Sequence, residues 1–438
     1  MGYCAKKIYS SSRQGAVLPF NDRGSAVVKV SRQRSAELRI ELLDAAGAEL
    51  RRVGYDAMAL TTVAGNCGLA TSAIYNRFPT KEALVDALLT ERIEPVLGAQ
   101  TDAEAVAFWS GSDEPPKLNF EQLGVVAELL LAARHTPSLH DSVYGFLRRR
   151  IAIAVQEREK AAARGEVRND HDPRVQVLMR AATWIGSYFF GLVSDPPKRG
   201  EKALNAYTRM AVMNLPFSTP LPPQTRIKAR TAPKIRSAEQ DDQDKIYVAL
   251  VDSAAEVFAE MGYEAAAVAD IARRAQLTTG AIYNRFAGKA GLMNEVIATK
   301  LGPDVEILGV HLVQALASSS SISKPALSDF ILRVNSDTGD NSRGLRLAAR
   351  DAARHEPEVA AAVGPLQDAT LAAMADFVRN AQGEGLIRSD IDAEVAVWFW
   401  SVNPLGAGLV GAAFPEIPQD AYGSFYATAM EILRTQPA

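Results

Sequence analysis

Apolar residues recur at helical spacing from Leu38 to Val53, at Leu38, Leu42, Ala45, Ala46, Ala48 and Val53, with Gly54 behind them. This is the pattern of an amphipathic helix with a glycine stop. The pattern returns over Ile246–Met261, closed by Gly262. A matching series follows each helix: Gly54-Tyr55 against Gly262-Tyr263, then Val63-Ala64 against Ile271-Ala272. Next come the octapeptides Thr-Ser-Ala-Ile-Tyr-Asn-Arg-Phe (71–78) and Thr-Gly-Ala-Ile-Tyr-Asn-Arg-Phe (279–286), seven of eight positions identical at an offset of 208. The chain is therefore an internal duplication, and so long a period describes two whole domains in tandem rather than solenoid units.

After the first helix the pattern predicts a short helix, a turn at Gly68, and a second short helix of roughly eight residues carrying the octapeptide. Pro79-Thr80 ends that helix and caps the next one, from Lys81; Ala287-Gly288 does the same before Lys289. Beyond this, no strand-like alternation occurs. Further helices are expected near 81–94, 97–109, 118–135, 138–164, 173–193 and 200–214 in the first half. The second half has them near 289–301, 303–317, 325–335, 342–355, 357–382, 393–411 and 420–434. The internal match resumes at an offset of 220, with Ala132-Ala133-Arg134-His135 against Ala352-Ala353-Arg354-His355. The larger offset places the extra residues of the second half in the Ser318–Ser323 and Asn335–Asn341 loops. His135 and His355 read as helix C-terminal caps, where the dipole favours them.

The expected division is a disordered extension at 1–30, first units at 31–89 and 90–215, a Pro-rich basic linker at 216–243, and second units at 244–297 and 298–438. Lys29, Arg32 and Arg34 form a basic arm before the first helix, and Lys234 and Arg236 belong to a second arm before its copy.

Composition narrows the function classes. Hydrophobic content of 47% and charged content of 23% suit a soluble globular chain. With a net charge of −3 there is no global basic field, so contact with nucleic acid must come from local clusters. Two cysteines, Cys4 and Cys67, supply neither a disulfide framework nor a metal quartet and fit a reducing cytoplasm, with Cys67 read as a small core residue. No secretory signal is apparent. The stretch from Val395 to Pro415 lacks charge and is long enough to span a bilayer, but Asn403 and Pro404 interrupt it and its first-half counterpart carries Arg180. It reads as a packing or interface helix, with no membrane partner. No catalytic constellation, metal spacing or cofactor motif appears, so an enzyme is not expected.

The octapeptide carries the chemistry. Ile74 and Phe78 are four apart and point inward, leaving Thr71, Ser72, Tyr75 and Asn76 on the other face. A short helix, a tight turn and a polar-faced short helix make a helix-turn-helix, whose second helix enters a major groove of DNA. Asn76 can pair bidentately with adenine, and a tyrosine hydroxyl reaches phosphate. Lys81 opens the following helix, where a cation opposes the dipole; a phosphate would be a reason for it, and Lys289 repeats the placement.

These residues, with a lysine two or three positions beyond the phenylalanine, resemble the DNA-binding signature of TetR-type transcriptional regulators. The resemblance implies an all-α fold of two repeats, each a three-helix reader plus a helical body that binds a ligand and dimerises. It implies DNA contact from Thr61, Thr71, Ser72, Tyr75, Asn76 and Lys81, and from Thr279, Gly280, Tyr283, Asn284 and Lys289. The tandem arrangement resembles a subgroup found in actinobacteria, some of whose members control lipid-metabolism operons. Expected partners are a double-stranded DNA operator, a small and largely apolar effector, and the chain's own second half as a pseudo-dimer, with further self-association open. No cofactor is expected. Phe108, Trp109, Phe120, Tyr144 and Phe146 are candidate effector-pocket residues, whereas the aromatic residues of the late helices read as core or interface. The second reader departs from the first. Gln276 stands where Gly68 makes the turn, so its geometry is expected to be strained, and Ala269 replaces Thr61. It is expected to bind less well.

Overall fold

The computed structural model describes residues 22–98, 120–165, 172–193, 245–301, 337–385 and 387–433. Helix α1 (Asp22–Ala57) bends at Gly54, whose φ of 74° and ψ of 172° no longer belong to a helix. Its buried face is Leu42, Leu43, Ala46, Leu50 and Val53. The helix also runs back through residues 22–30, which the sequence pattern assigned to a disordered extension, so Arg32 and Arg34 lie on α1 rather than on a loose arm. The periodic signal stops at Leu38 because Gln33–Glu37, ahead of it, are exposed. The helix continues because a turn already nucleated by its buried face propagates cheaply through Arg, Gln, Ala and Glu.

Next come α2 (Leu60–Asn66), α3 (Thr71–Tyr75) and α4 (Lys81–Leu88), the last running through a π-helical turn (Leu89–Ile93) into a short helix at Glu94–Gly98. The first body contributes α5 (Phe120–Ala133), a 3-10 turn at Pro137–Leu139 and a π-helical turn at His140–Tyr144. Helices α6 (Gly145–Ala163) and α7 (Pro173–Gly191) complete its described part, α7 being capped by the Asp172 carboxylate. The second half repeats the order with α8 (Lys245–Met261), α9 (Val268–Arg274), α10 (Thr279–Tyr283) and α11 (Gly288–Val296). Its body has α12 (Asp337–Ala352), α13 (Pro357–Gly383), α14 (Ala393–Gly411) and α15 (Gln419–Leu433). There is no β-strand among the described residues, and the fold is all-α. Helix α12 starts at Asp337, inside the expected Asn335–Asn341 loop. Asp337 and Asp340 suit a helix N-terminus even though the sequence there lacks an apolar period. Much of 97–109 and all of 200–214, 303–317 and 325–335 lie outside the described residues, as do the 216–243 linker with Lys234 and Arg236.

The halves meet where α7 crosses α14, and two glycines make the crossing possible. A Cβ on Gly186 would sit 1.9 Å from the Val402 carbonyl oxygen, and one on Gly406 would sit 1.9 Å from that of Ala182. Positions 182 and 186 correspond to 402 and 406 at the offset of 220, so each half gives the other the same contact. Such reciprocity is the mark of a two-fold interface, here formed within one chain. Asn403, fully buried in this crossing, donates to the Met179 carbonyl (2.7 Å) and to Thr183 Oγ1 (2.9 Å) and accepts from Tyr426 Oη (2.7 Å). Phe190 meets Trp398 edge to face at 5.5 Å between centroids. The uncharged stretch is thus an interface helix, and no helix among the described residues is long and apolar enough to cross a membrane.

Each body grips its own helix-turn-helix unit equally closely. A Cβ on Gly124 of α5 would lie 2.8 Å from Arg51 Cδ on α1, and one on the matching Gly344 of α12 would lie 2.5 Å from the Ala259 carbonyl on α8. At these contacts a small change in a body helix is felt at the first helix of the unit beside it.

Candidate nucleic-acid interface

Two buried anchors hold each short helix. Ile74 and Phe78 on one side, and Ile282 and Phe286 on the other, sit in the core with Val63 and Ile271. The opposite faces are open. Thr71, Ser72 and Asn76 are exposed, as are Thr279, Gly280 and Asn284. Tyr75 is 47% exposed and Tyr283 62%, unusual for large aromatic side chains. Helix α3 is shorter than the sequence suggested, at five residues, and Asn76 is its C-cap rather than an interior residue.

The turns leading into these helices are the same. Leu69 N–H donates to the Ala64 carbonyl (2.9 Å) and Gly68 N–H to that of Gly65 (2.9 Å); in the second unit Leu277 N–H donates to Ala272 (2.8 Å) and Gln276 N–H to Arg273 (3.1 Å). Both are Schellman motifs, which require a left-handed residue just past the helix end. Gly68 has φ 68° and Gln276 has φ 57°. The second turn is not distorted by its glutamine; it adopts the glycine conformation at a cost of about 1–2 kcal/mol. The corner before α4 does differ. Thr80 Oγ1 accepts from Ala83 N–H at 3.1 Å, whereas Ala287 offers no side-chain cap and the chain turns through Gly288 at φ 74°. The expectation that Ala287-Gly288 caps like Pro79-Thr80 therefore holds for the backbone path and not for the hydrogen bond.

Lys81 and Lys289 already have protein partners. Lys81 Nζ lies 4.1 Å from the centre of the Tyr55 ring and donates to the Asp56 carbonyl at 3.3 Å. Lys289 Nζ lies 4.2 Å from that of Tyr263 and donates to the Tyr263 carbonyl at 2.8 Å. A cation at a helix start has its reason here in the carbonyls left open at the end of the unit's first helix and in the aromatic face beside them. Burial holds both ammonium groups below the usual lysine range. The repeated Gly-Tyr pair was the visible trace of this staple, although the sequence did not connect it to the lysine. Thr61 is exposed near the start of α2, and Ala269 is exposed at the matching place on α9. Arg34 is exposed on α1, fifteen or more residues ahead of Leu50 and the bend that follows.

The effector-pocket candidates do not come together as a set. Phe108 and Trp109 lie outside the described residues, and Phe120 opens α5 with its side chain outside them. Phe146 is buried in the general core, and Tyr144 is half-buried and stacked on His140 with centroids 4.7 Å apart. His135 does not cap its own helix: its Nε2 lies 3.4 Å from Asp56 Oδ2, and its ring abuts Gly262 of the other half. The buried Nε2 of His355 makes no hydrogen bond.

The family model described as bacterial regulatory proteins, tetR family, matches residues 42–88 and again 250–296, which hold the two helix-turn-helix units. The A-factor receptor protein of Streptomyces griseus is 40% identical over 60 residues, covering 14% of this chain and 22% of that relative. The match to this relative spans less than a quarter of its length. Two family matches fall at the two places where the same exposed helix face is built on the same Schellman turn: the chain carries, in tandem, two units of the tetR family of bacterial regulatory proteins.

Proposed function

We propose that this chain is a sequence-specific, double-stranded-DNA-binding transcriptional repressor of the cytoplasm, released from its operator by a small, largely apolar effector. The observation that carries it is the pairing of two equivalent exposed faces, Thr71, Ser72, Tyr75 and Asn76 with Thr279, Gly280, Tyr283 and Asn284, across a two-fold interface inside one polypeptide. The units 31–89 and 244–297 act as readers, and 90–215 and 298–438 as effector and interface bodies. In each reader the tyrosine and the threonine meet the backbone and the asparagine reads a base edge. Lys81 and Lys289 hold the reader together and add positive charge beside the phosphates.

A mobility-shift titration of the full chain against duplex from its own upstream region tests this. Tyr75→Ala with Tyr283→Ala should weaken binding to every sequence, whereas Asn76→Ala should also relax base preference. With about eight phosphates neutralised, log affinity should fall against log salt at a slope near −7. A salt-independent interaction, or unchanged affinity in all these variants, would overturn the reading.

A further inference from the structure

Beneath the readers, where α5 and α12 end, charged groups from both halves converge. Arg354, just past α12, reaches out of the second half into the first. Its Nη2 lies 2.8 Å from Glu128 Oε1 on α5 and 2.8 Å from Asp351 Oδ1, and its Nη1 donates to the Arg51 carbonyl on α1 at 3.3 Å. Tyr188 Oη on α7 donates to the same Glu128 carboxylate at 2.7 Å. Glu128 is 1% exposed, and Arg354 is buried with it. The bend at Gly54 lies on the cluster: a Cβ there would be 3.5 Å from Asp351 Oδ1 and 3.8 Å from Glu128 Oε2. Asp56, Arg134, His135 and Glu264 border the same cleft, and Arg51 faces it from α1.

The two-fold relation fails at this place. The positions matching Glu128 and Asp351 are Ala348 and Leu131, so the acidic pair exists on one side of the axis only. Burying two opposite charges costs several kcal/mol per ion before their attraction is counted, and apolar packing of similar volume is often as stable or more so. On the other side Arg134, the match of Arg354, is kept while both carboxylates give way to Ala348 and Leu131, so the packing does not require the acidic pair. What the charged version adds is position. The guanidinium satisfies Glu128, Asp351 and the Arg51 carbonyl together only when the second body and the first reader stand at one register.

We propose that the Glu128–Arg354 pair is a one-sided latch that fixes the first reader against the second half and so sets the separation of the two readers. For its consequence on DNA it rests on the function proposed above, but the latch can be observed without DNA. Burial pushes the Glu128 carboxyl up to about 7, with Asp351 acting in the same direction and Arg354 and Tyr188 against it. The latch therefore closes as pH rises through 7 and opens as the carboxylate takes a proton. The stability sign is the reverse. A carboxyl whose folded pKa lies above its ordinary value favours the fold at low pH, and this contribution is lost between the ordinary carboxylate range and about 7. Above neutrality the chain holds its latch shut at some expense in stability.

The test uses the full chain with Cys4→Ser and Cys67→Ala, and dyes on Ala70→Cys and Thr278→Cys, the exposed matching positions ahead of α3 and α10. Single-molecule energy transfer should give one narrow distribution at pH 8.5 that broadens on acidification, with a midpoint near 7. Glu128→Gln should be broad at both extremes and insensitive to pH. Tyr188→Phe removes one hydrogen bond from the carboxylate and should move the midpoint up by about one pH unit, which decides the matter should Glu128→Gln fail to fold. A narrow, pH-independent distribution in the parent chain, a pH response that survives Glu128→Gln, or an unmoved midpoint in Tyr188→Phe would overturn the latch. A parent chain that shows this pH response yet binds no duplex would support the latch and count against the DNA-binding reading instead.

Discussion

The first reader turns from α2 into α3 through Gly68 and starts α4 under the Thr80 cap; the second makes the same two corners with Gln276 and with Ala287 followed by Gly288. Elsewhere the pair has exchanged parts without losing contacts. Arg39 lies over Phe78 and pairs with Glu91, while Tyr247 at the matching position packs on Phe286 and donates to Glu295. Asp44 with Arg92 becomes Asp252 with Lys300. On the exposed face three of four positions stay constant, Ser72 against Gly280 being the exception. Buried anchors and the six-residue turn dictate the backbone path, and side chains that suit it imperfectly are held to it anyway. The second reader thus carries a cost of about 1–2 kcal/mol at Gln276 and lacks a cap worth about 1 kcal/mol, which points to lower local stability rather than to a distorted face.

The most drastic perturbation is to part the readers. Gly186→Val drives a side chain into the Val402 carbonyl, so α7 and α14 must separate. Affinity for a duplex with two half-sites should then drop by roughly 100-fold or more, the loss expected when a linked pair stops acting together. Affinity for a single half-site should stay nearly level. Mobility shifts on the two duplexes check this, and equal losses on both would mean that the fold, not the pairing, had failed. A smaller effect sharpens the difference in turns. Gly68→Gln should destabilise the first reader by about 1–2 kcal/mol, and Gln276→Gly should stabilise the second by up to about 1 kcal/mol. Hydrogen exchange at Leu69 and Leu277 amides, which close the two turns, would report each separately. Smallest is the cap: Thr80→Ala should cost about 1 kcal/mol in thermal or denaturant melts, and Ala287→Thr should recover only part of that because Gly288 turns the chain differently.

Much of this is legible in the sequence. Stops at Gly54 and Gly262, inward Ile74 and Phe78, and the interface character of the uncharged late helix follow from local periodicity or from comparing the copies. What escaped has a common cause. Partners of Lys81 lie 25 residues away in a corner whose shape only the folded unit creates, so the lysine seemed to lack one. His135 matched its copy and looked like a cap because the group it faces, Asp56, is brought in by the fold. Glu128 was invisible for the opposite reason: reading a duplication by what repeats overlooks a residue whose counterpart is alanine. Residues 22–30 were missed because a helix extended by propensity alone carries no apolar period.

The reciprocal glycines at 186 and 406 have a consequence for dosage. An interface between separate subunits forms only as fast and as far as protein concentration allows, and at low copy number it falls apart. Here α7 and α14 belong to one chain, so the crossing forms at any dilution. Occupancy of a paired site should then rise in simple proportion to the number of chains, with no threshold set by assembly. A few molecules per cell would be as well paired as many.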